Sequence, residues 1–141
     1  MNIEKKFQEW CKKKIELEKS KKELFHPKIL DIRNCYFWKN LNWEQSWDKN
    51  NHFFRPVLVI KTFWYVWNIL ILPLTKSKKP DFISYKILKS DYLFLKYDSY
   101  ILLDKIKSIS IKRLEWWKPL WKIKKDEHKK IVIKFKNLIT I

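Results

Sequence analysis

The 141-residue chain contains no glycine, whereas it contains nine tryptophans. A typical domain has roughly 7% glycine, and turns with a positive φ angle use glycine or, less often, Asn and Asp. Several tryptophans stand where the chain is expected to turn, namely Trp47, Trp64, Trp116, Trp117 and Trp121. One hypothesis is that UGA codons of the gene encode glycine at such positions, and UGG codons at Trp47 and Trp121 would exclude it. The alternative is an aromatic-rich chain that turns with Asn and Asp.

Signatures of a disulfide framework, a zinc site and a membrane span are also lacking. The two cysteines, Cys11 and Cys35, have no CxxC spacing. The longest apolar run, within residues 63–74, is interrupted by Asn68 and is shorter than the roughly 20 residues that cross a bilayer. The N-terminus has no continuous apolar segment of the kind found in secretory signals. We therefore expect a soluble, cytoplasmic protein.

Acidic residues are scarce relative to basic ones. The chain has 15 Asp and Glu against 32 Lys and Arg, which gives a formal net charge of +17. Such a chain attracts polyanions with a strong dependence on salt, so nucleic acid and anionic membrane are the candidate partners. The alternative is that the lysines only form a solvated surface and reflect the base composition of the genome.

The hydrophobic pattern predicts a mainly β domain between two helices. Residues 3–23 have apolar side chains at near-helical spacing, namely Ile3, Phe7, Trp10 or Cys11, Ile15 and Leu17, and Pro27 follows their end. A second helix is predicted over residues 126–139. Strands are predicted at residues 32–41, 54–63, 67–74, 82–88, 92–96, 99–103 and 106–111, with a hairpin turn at 89–91. Short strands with turn signals favour a small antiparallel barrel at residues 30–141, preceded by a helical extension at 1–26.

Several short motifs occur in one order along the chain. They are EQS at 44–46, RPVLVI at 55–60, PLT at 73–75 followed by lysines and a serine, SYILLDKIKSISIKRL at 99–114 and LWKIKKDEHKKI at 120–131. In this order and spacing they resemble the MazF/PemK/Kid family of toxins over roughly residues 32–140. The family usually has glycine where Asn42, Trp47 and Trp121 stand, which fits the recoding hypothesis at the two tryptophans.

The resemblance implies an SH3-like antiparallel β-barrel of the MazF/PemK/CcdB type, with an N-terminal amphipathic helix and a C-terminal helix. It further implies the toxin of a type II toxin–antitoxin system, a homodimer that is neutralised by a cognate antitoxin. The implied activity is that of an endoribonuclease that needs neither a metal nor another cofactor. Such an enzyme cleaves single-stranded mRNA at short sequences and leaves a cyclic phosphate and a 5′-hydroxyl.

Three residues match catalytic positions of the family: Arg55, Thr75 and Asp104. Attack of a ribose 2′-OH on its own phosphate needs a proton acceptor and cationic or hydrogen-bonding groups for the developing charge. A guanidinium holds two phosphate oxygens at once, and the Thr75 hydroxyl can orient the phosphate. Asp104 matches an acidic position proposed as general base, but the arginine two residues before it in those members is Leu102 here. Surface ion pairing and turn formation are the alternative roles of these three residues.

RNA contacts are expected from the loop at 42–53 and from the basic loop after Thr75. The candidate residues are Glu44, Gln45, Ser46, Lys49, His52, Phe53, Lys76, Ser77, Lys78 and Lys79. Lysines attract phosphates, polar side chains hydrogen-bond base edges, and aromatic rings stack on unpaired bases. His52 can also share acid–base duty, since imidazole titrates near neutrality. Phe53 is alternatively a core residue of the barrel.

Two competing functions remain open from the sequence. The same barrel also carries CcdB-like toxins that bind gyrase, so a non-catalytic toxin that binds nucleic acid or gyrase is the first alternative. The basic N-terminal helix provides the second, attachment to a membrane surface. We regard packing of this helix on the barrel or on a dimer partner as the better interpretation, and we expect no membrane partner.

Overall fold

The structure, a computed structural model, describes residues 2–19, 27–36, 54–63, 66–115 and 119–140. The described part contains two helices, α1 (Ile3–Lys19) and α2 (Lys125–Ile139). Its strands are β1 (Asp31–Tyr36), β2 (Phe54–Phe63), β3 (Asn68–Thr75), β4 (Ser84–Ile87), β5 (Ser99–Leu102), β6 (Lys107–Ser110) and β7 (Trp121–Lys122). Short 3-10 turns follow β5 and β6, at Leu103–Lys105 and Ile111–Arg113.

All strand pairs in the described part are antiparallel, in the order β4-β5-β3-β2-β1-β7. Strand β3 is shared, because its first residues pair with β6 whereas its last two pair with β5. This exchange of partners along one strand curls the sheet and gives it the form of a small open barrel. The predicted fold class, a small antiparallel barrel with a helix at each end, is confirmed.

The central strands bury apolar side chains on both faces. Val57 and Val59 belong to a core cluster that also contains Cys35 and Ile71. Leu58 and its neighbours on β3 point the other way, into the cluster that packs beneath α2. Because successive side chains of a strand alternate between the two faces, an unbroken apolar run such as that of β2 places the strand between two cores.

Helix α1 packs on the barrel through part of the predicted apolar stripe. Trp10 and Leu17 are buried, while Ile3, Phe7 and Ile15 are each more than half exposed. The guanidinium of Arg113 lies 5.7 Å from the centre of the Trp10 ring. The interior of the fold therefore selects one pair of large residues and leaves the others on the surface. No helix in the described ranges is long and apolar enough to cross a membrane.

The predicted hairpin of residues 82–88 with 92–96 is wrong. The partner of β4 is β5, and residues 88–98 form turns. The reason lies at Tyr92, which is fully buried in the cluster beneath α2 instead of alternating in a ladder. The sequence does not predict strand β7, because two residues are too few to show the alternation of apolar and polar side chains that indicates a strand. The predicted strand at 32–41 is described only as far as Tyr36.

Two residues of the described part adopt a positive φ angle, Leu30 at 82° and Trp67 at 56°. This region is strained for a bulky side chain and favours glycine. Trp67 closes the β2–β3 connection, and its carbonyl accepts a hydrogen bond from the Ile111 N–H. Trp121, by contrast, lies in β7, with its ring stacked on Phe94 at 6.2 Å. Trp47 lies outside the described residues.

Candidate functional site

Arg55 and Thr75 lie on neighbouring strands and on the same face. Val57 is paired with Pro73 and Leu58 with Leu72. The same register, continued by two residues, sets Arg55 opposite Thr75, and both residues belong to strands β2 and β3. Residues two apart in a strand share a face, so both side chains stand on the Val57 face, where each is half-buried. The structure thus brings together two of the three predicted catalytic residues.

The same face carries a continuous row of side chains across five strands. Cys35 is paired with Arg55 on one side, and Thr75 is paired with Tyr100 on the other. Tyr100 is in turn paired with Lys86 of β4. Directly paired residues have Cβ atoms about 4.5–5.5 Å apart. The row therefore runs Cys35, Arg55, Thr75, Tyr100, Lys86, with the two predicted catalytic residues in its middle.

The hydroxyl of Thr75 is oriented by its own backbone. Its Oγ1 accepts a hydrogen bond of 3.2 Å from the backbone N–H of Ser77. This local turn fixes the position of the oxygen, and the hydroxyl proton is left to donate. An anion above the row is the natural acceptor for that proton.

A buried ion pair lies one row behind Arg55. Arg33 is paired with Val57 on the same face, and its guanidinium lies 2.9 Å from the carboxylate of Asp31. Both side chains are less than a tenth exposed, and Lys122 contacts the other carboxylate oxygen at 3.2 Å. The Asp31 carboxylate also accepts a hydrogen bond from the backbone N–H of Lys28. The carboxylate thus holds Arg33 in place one row from Arg55, and sequence reasoning did not single out this arginine.

The basic loop after β3 supplies further positive charge. Lys76, Ser77 and Lys78 are exposed, and Lys79 is half-buried. The ammonium group of Lys76 lies 5.5 Å from the centre of the Tyr97 ring. The loop follows Thr75 directly, so its first lysine is the next residue along the chain after a member of the row.

Asp104 does not belong to the row. It lies in the 3-10 turn after β5, exposed, with its carboxylate 3.2 Å from the ammonium of Lys105. The ion pair with Lys105 corresponds to surface ion pairing, which is the alternative role of Asp104. Leu102, two residues earlier, is buried and shares the face of Tyr100.

The other predicted RNA-binding residues lie outside the described residues, so their positions stay predictions. They are Glu44, Gln45, Ser46, Lys49, His52 and Phe53. Within the described ranges no group of three or more His, Cys, Asp and Glu side chains is arranged to hold a metal ion.

Solved structures similar to this chain include three bacterial toxins or nucleases. MazF from Deinococcus radiodurans has a TM-score of 0.64 and 18% identity, over 83% of this chain and 99% of that one. An endoribonuclease from a mycobacterial species, solved in complex with its cognate antitoxin, has a TM-score of 0.57 and 14% identity, over 81% and 95%. The toxin MazF-mt6 of Mycobacterium tuberculosis has a TM-score of 0.56 and 13% identity, over 77% and 94%. At these identities the likeness shows the fold.

Sequence comparison identifies the family. No curated protein matches the chain. The family model of PemK-like, MazF-like toxins of type II toxin–antitoxin systems matches residues 37–139, which include every member of the row except Cys35. This match covers most of the chain and agrees with the fold. The chain belongs to the PemK-like, MazF-like toxin family of type II toxin–antitoxin systems.

Proposed function

We propose that this toxin is a metal-independent endoribonuclease that cleaves single-stranded mRNA in the cytoplasm. The observation that carries the proposal is the placement of a guanidinium and a hydroxyl side by side on one face, at Arg55 and Thr75. The net charge of +17 draws RNA to the surface. The mycobacterial neighbour, itself an endoribonuclease by name, supports the same activity.

In this proposal Arg55 binds the scissile phosphate. Its planar guanidinium donates two hydrogen bonds to the non-bridging oxygens and stays charged at every physiological pH. As the 2′-oxygen bonds to phosphorus, the bond from phosphorus to the 5′-oxygen breaks, and that oxygen takes a proton from water to leave as the 5′-hydroxyl. Negative charge grows on the non-bridging oxygens during this step, so the interaction with Arg55 strengthens in the transition state. Electrostatic stabilisation of this kind needs no metal ion.

Thr75 donates its hydroxyl proton to one phosphate oxygen. The hydrogen bond from the Ser77 N–H holds Oγ1 in place before the substrate arrives. A donor that is already oriented does not have to reorganise during the reaction. Arg55 and Thr75 therefore bind the same phosphate from two adjacent strands.

The decisive experiment is to incubate the purified protein with RNA in EDTA and to map the ends of the fragments. We expect a 2′,3′-cyclic phosphate and a 5′-hydroxyl, and a loss of roughly 10²- to 10³-fold in rate for Arg55→Ala. Arg113→Ala is the matched control, because that arginine contacts Trp10 of α1. RNA binding without cleavage by the unmodified protein would favour a non-catalytic toxin.

Asp104 is retained as the proposed proton acceptor, although it is ion-paired with Lys105. Loss of the acceptor of the 2′-OH proton should lower the kcat of Asp104→Asn by roughly 10²- to 10⁴-fold. Lys105→Ala, which breaks the ion pair and keeps the carboxylate, should retain most of the activity. An unchanged kcat in Asp104→Asn assigns the proton acceptor to another group.

We also propose that the toxin is a homodimer and that a cognate antitoxin neutralises it. The mycobacterial neighbour was solved with its antitoxin, and a surface with net charge +17 is complementary to an acidic polypeptide. A short adjacent gene that encodes a DNA-binding half and an acidic tail would support this. Light scattering of the purified protein measures the dimer, and co-purification of the two gene products measures the complex.

A further inference from the structure

Tyr100 stands beside the proposed catalytic pair and has no role in the function proposed so far. It is the direct partner of Thr75 in the β3–β5 ladder and of Lys86 in the β4–β5 ladder. The neighbouring Ile101 is fully buried in the cluster beneath α2. Because side chains alternate along a strand, Tyr100 projects from the opposite face, which is the face of Arg55 and Thr75.

The two faces of β5 pack differently, so the side chains on one face have a structural role and those on the other are available to bind a ligand. Ile101 fills the core beneath α2, and Tyr85, which is its partner on β4, packs against the same core. Tyr100 is half-buried and belongs to neither of the two core clusters. The sheet therefore has a core face and a site face at this point, and an aromatic ring lies on each.

The spacing of the row matches the dimensions of one nucleotide. Neighbouring strands are about 4.8 Å apart, so the Tyr100 side chain starts about one strand from Thr75 and about two strands from Arg55. A phosphate held by Arg55 and Thr75 has its attached nucleoside within that range. Unpaired bases bind proteins chiefly by stacking on aromatic rings.

We propose that the ring of Tyr100 is the stacking platform for the base that adjoins the scissile phosphate. The inference rests on the proposed RNA cleavage and adds to it a residue that binds and selects the substrate. Arg55 and Thr75 hold the phosphate, whereas Tyr100 holds the base and so fixes which bond along the strand reaches the catalytic pair. Lys86 is next in the row, and its ammonium group lies 3.8 Å from a carboxylate oxygen of Asp98. This residue forms the outer limit of the subsite.

Steady-state cleavage of a short RNA oligonucleotide tests the proposal with three variants of one position. Tyr100→Leu keeps an apolar side chain and removes the ring, and we expect the KM to rise about 5- to 150-fold, since a stacked base contributes about 1–3 kcal/mol. The kcat should stay within about threefold, because the phosphate contacts remain. Tyr100→Phe should behave like the unmodified protein, and Tyr100→Ala like Tyr100→Leu.

The matched control is Tyr85→Leu, a change of the same kind on the core face of the same two-strand ladder. It should leave the KM unchanged at temperatures where circular dichroism shows the variant folded. A Tyr100→Leu variant with the KM of the unmodified protein would overturn the proposal. So would a Tyr100→Phe variant as defective as Tyr100→Leu, which would assign the effect to the hydroxyl.

A substrate that lacks one base provides a second, independent measurement. Removing the base next to the cleaved bond should weaken binding to the unmodified protein as much as Tyr100→Leu does, and it should add nothing further in that variant. Fully additive effects would place the base elsewhere and refute the stacking contact.

The two proposals fail in different ways. Binding is measured separately, by fluorescence anisotropy with an oligonucleotide that carries a 2′-deoxynucleotide at the cleaved position. Binding that depends on Tyr100, in the absence of any cleavage of RNA, rejects the catalytic proposal and retains the stacking site. RNA cleavage with the same KM in Tyr100→Leu as in the unmodified protein retains the catalytic proposal and rejects the stacking site.

Discussion

Arg55 and Thr75 are twenty residues apart in sequence, and the register of β2 with β3 makes them neighbours. Neither residue is unusual by itself, since arginines at strand starts and threonines at strand ends are common surface residues. The role proposed for them depends on their sharing a face, where β2 begins and β3 ends. A shift of one residue between these two strands would turn one side chain to the other face.

Thr75→Val tests the hydroxyl at nearly constant shape. We expect the kcat for RNA cleavage to fall by roughly 10²- to 10³-fold, because one oriented donor to the transition state is removed. Thr75→Ser retains the donor and should keep most of the activity. Thr62→Val, at the other end of β2 and paired with Ile69, is the matched control. Equal kcat values for Thr75→Val and Thr62→Val would remove Thr75 from the mechanism.

Trp67 is the residue at which the missing glycine can be tested in the protein. Its φ of 56° is unfavourable for an aromatic side chain, and the left-handed region costs a non-glycine residue about 1–2 kcal/mol. Trp67→Gly should therefore raise the free energy of unfolding, as measured by denaturant titration. Trp121→Gly should lower it, because an extended residue that stacks on Phe94 is lost. Equal destabilisation by both changes would contradict the expectation that the backbone at position 67 favours glycine.

At the scale of elements, the turns at 88–98 connect helix α2 to the barrel through hydrogen bonds of Tyr92. The hydroxyl of Tyr92 donates a hydrogen bond to the carboxylate of Glu127 and accepts one of 3.2 Å from the backbone N–H of Lys124. Burial and the hydrogen bond to Glu127 raise the pKa of Tyr92 above its ordinary value. One phenol thus caps the start of α2 and fills the core beneath it.

Tyr92→Phe should lower the free energy of unfolding by about 1–3 kcal/mol, since the variant keeps the ring and loses both hydrogen bonds. Thermal unfolding followed by circular dichroism measures the change. Tyr97→Phe is the control, because Tyr97 is 60% exposed, and it should shift stability by less than about 0.5 kcal/mol. Similar melting temperatures for the two variants would mean that Tyr92 contributes only its ring.

At the scale of the whole molecule, stability and RNA binding respond to solution conditions in different ways. The net charge makes RNA binding depend on salt. We expect stability to respond to acid through His128, which is half-buried on α2. Its Nε2 is buried without a hydrogen-bond partner in the described part of the chain. Burial lowers the pKa of His128 below its ordinary value, so the folded chain disfavours the imidazolium.

The sign of the pH dependence follows from that lowered pKa. Between the folded and unfolded pKa values of His128, the unfolded chain binds more protons, so stability is complete above about pH 6.5 and decreases as the pH falls below it. His128→Gln should show a shallower loss between pH 7.5 and pH 5 in denaturant titrations. The unmodified protein and His128→Gln both retain His26 and His52, so the difference between them isolates His128. Parallel curves of stability against pH for the two proteins would contradict the prediction.

The sequence by itself determined the local features whose signal is short-range. The apolar run of β2, the spacing of Ile131 and Phe135 in α2 and the order of the motifs are readable from neighbouring residues, because periodicity reports which face is buried. The same motifs predict Arg55 and Thr75 as candidate catalytic residues. The family match at residues 37–139 confirms the family that the motifs indicate.

Only the tertiary structure decided the pairings between distant segments. Nothing near Tyr92 in sequence indicates that it enters the core and leaves β5 as the partner of β4. Likewise, Tyr100 and Arg33 become neighbours of the candidate site only through the ladders of β3 and β1. Strand register depends on contacts between residues far apart in the chain, and the composition of a single segment does not contain that information.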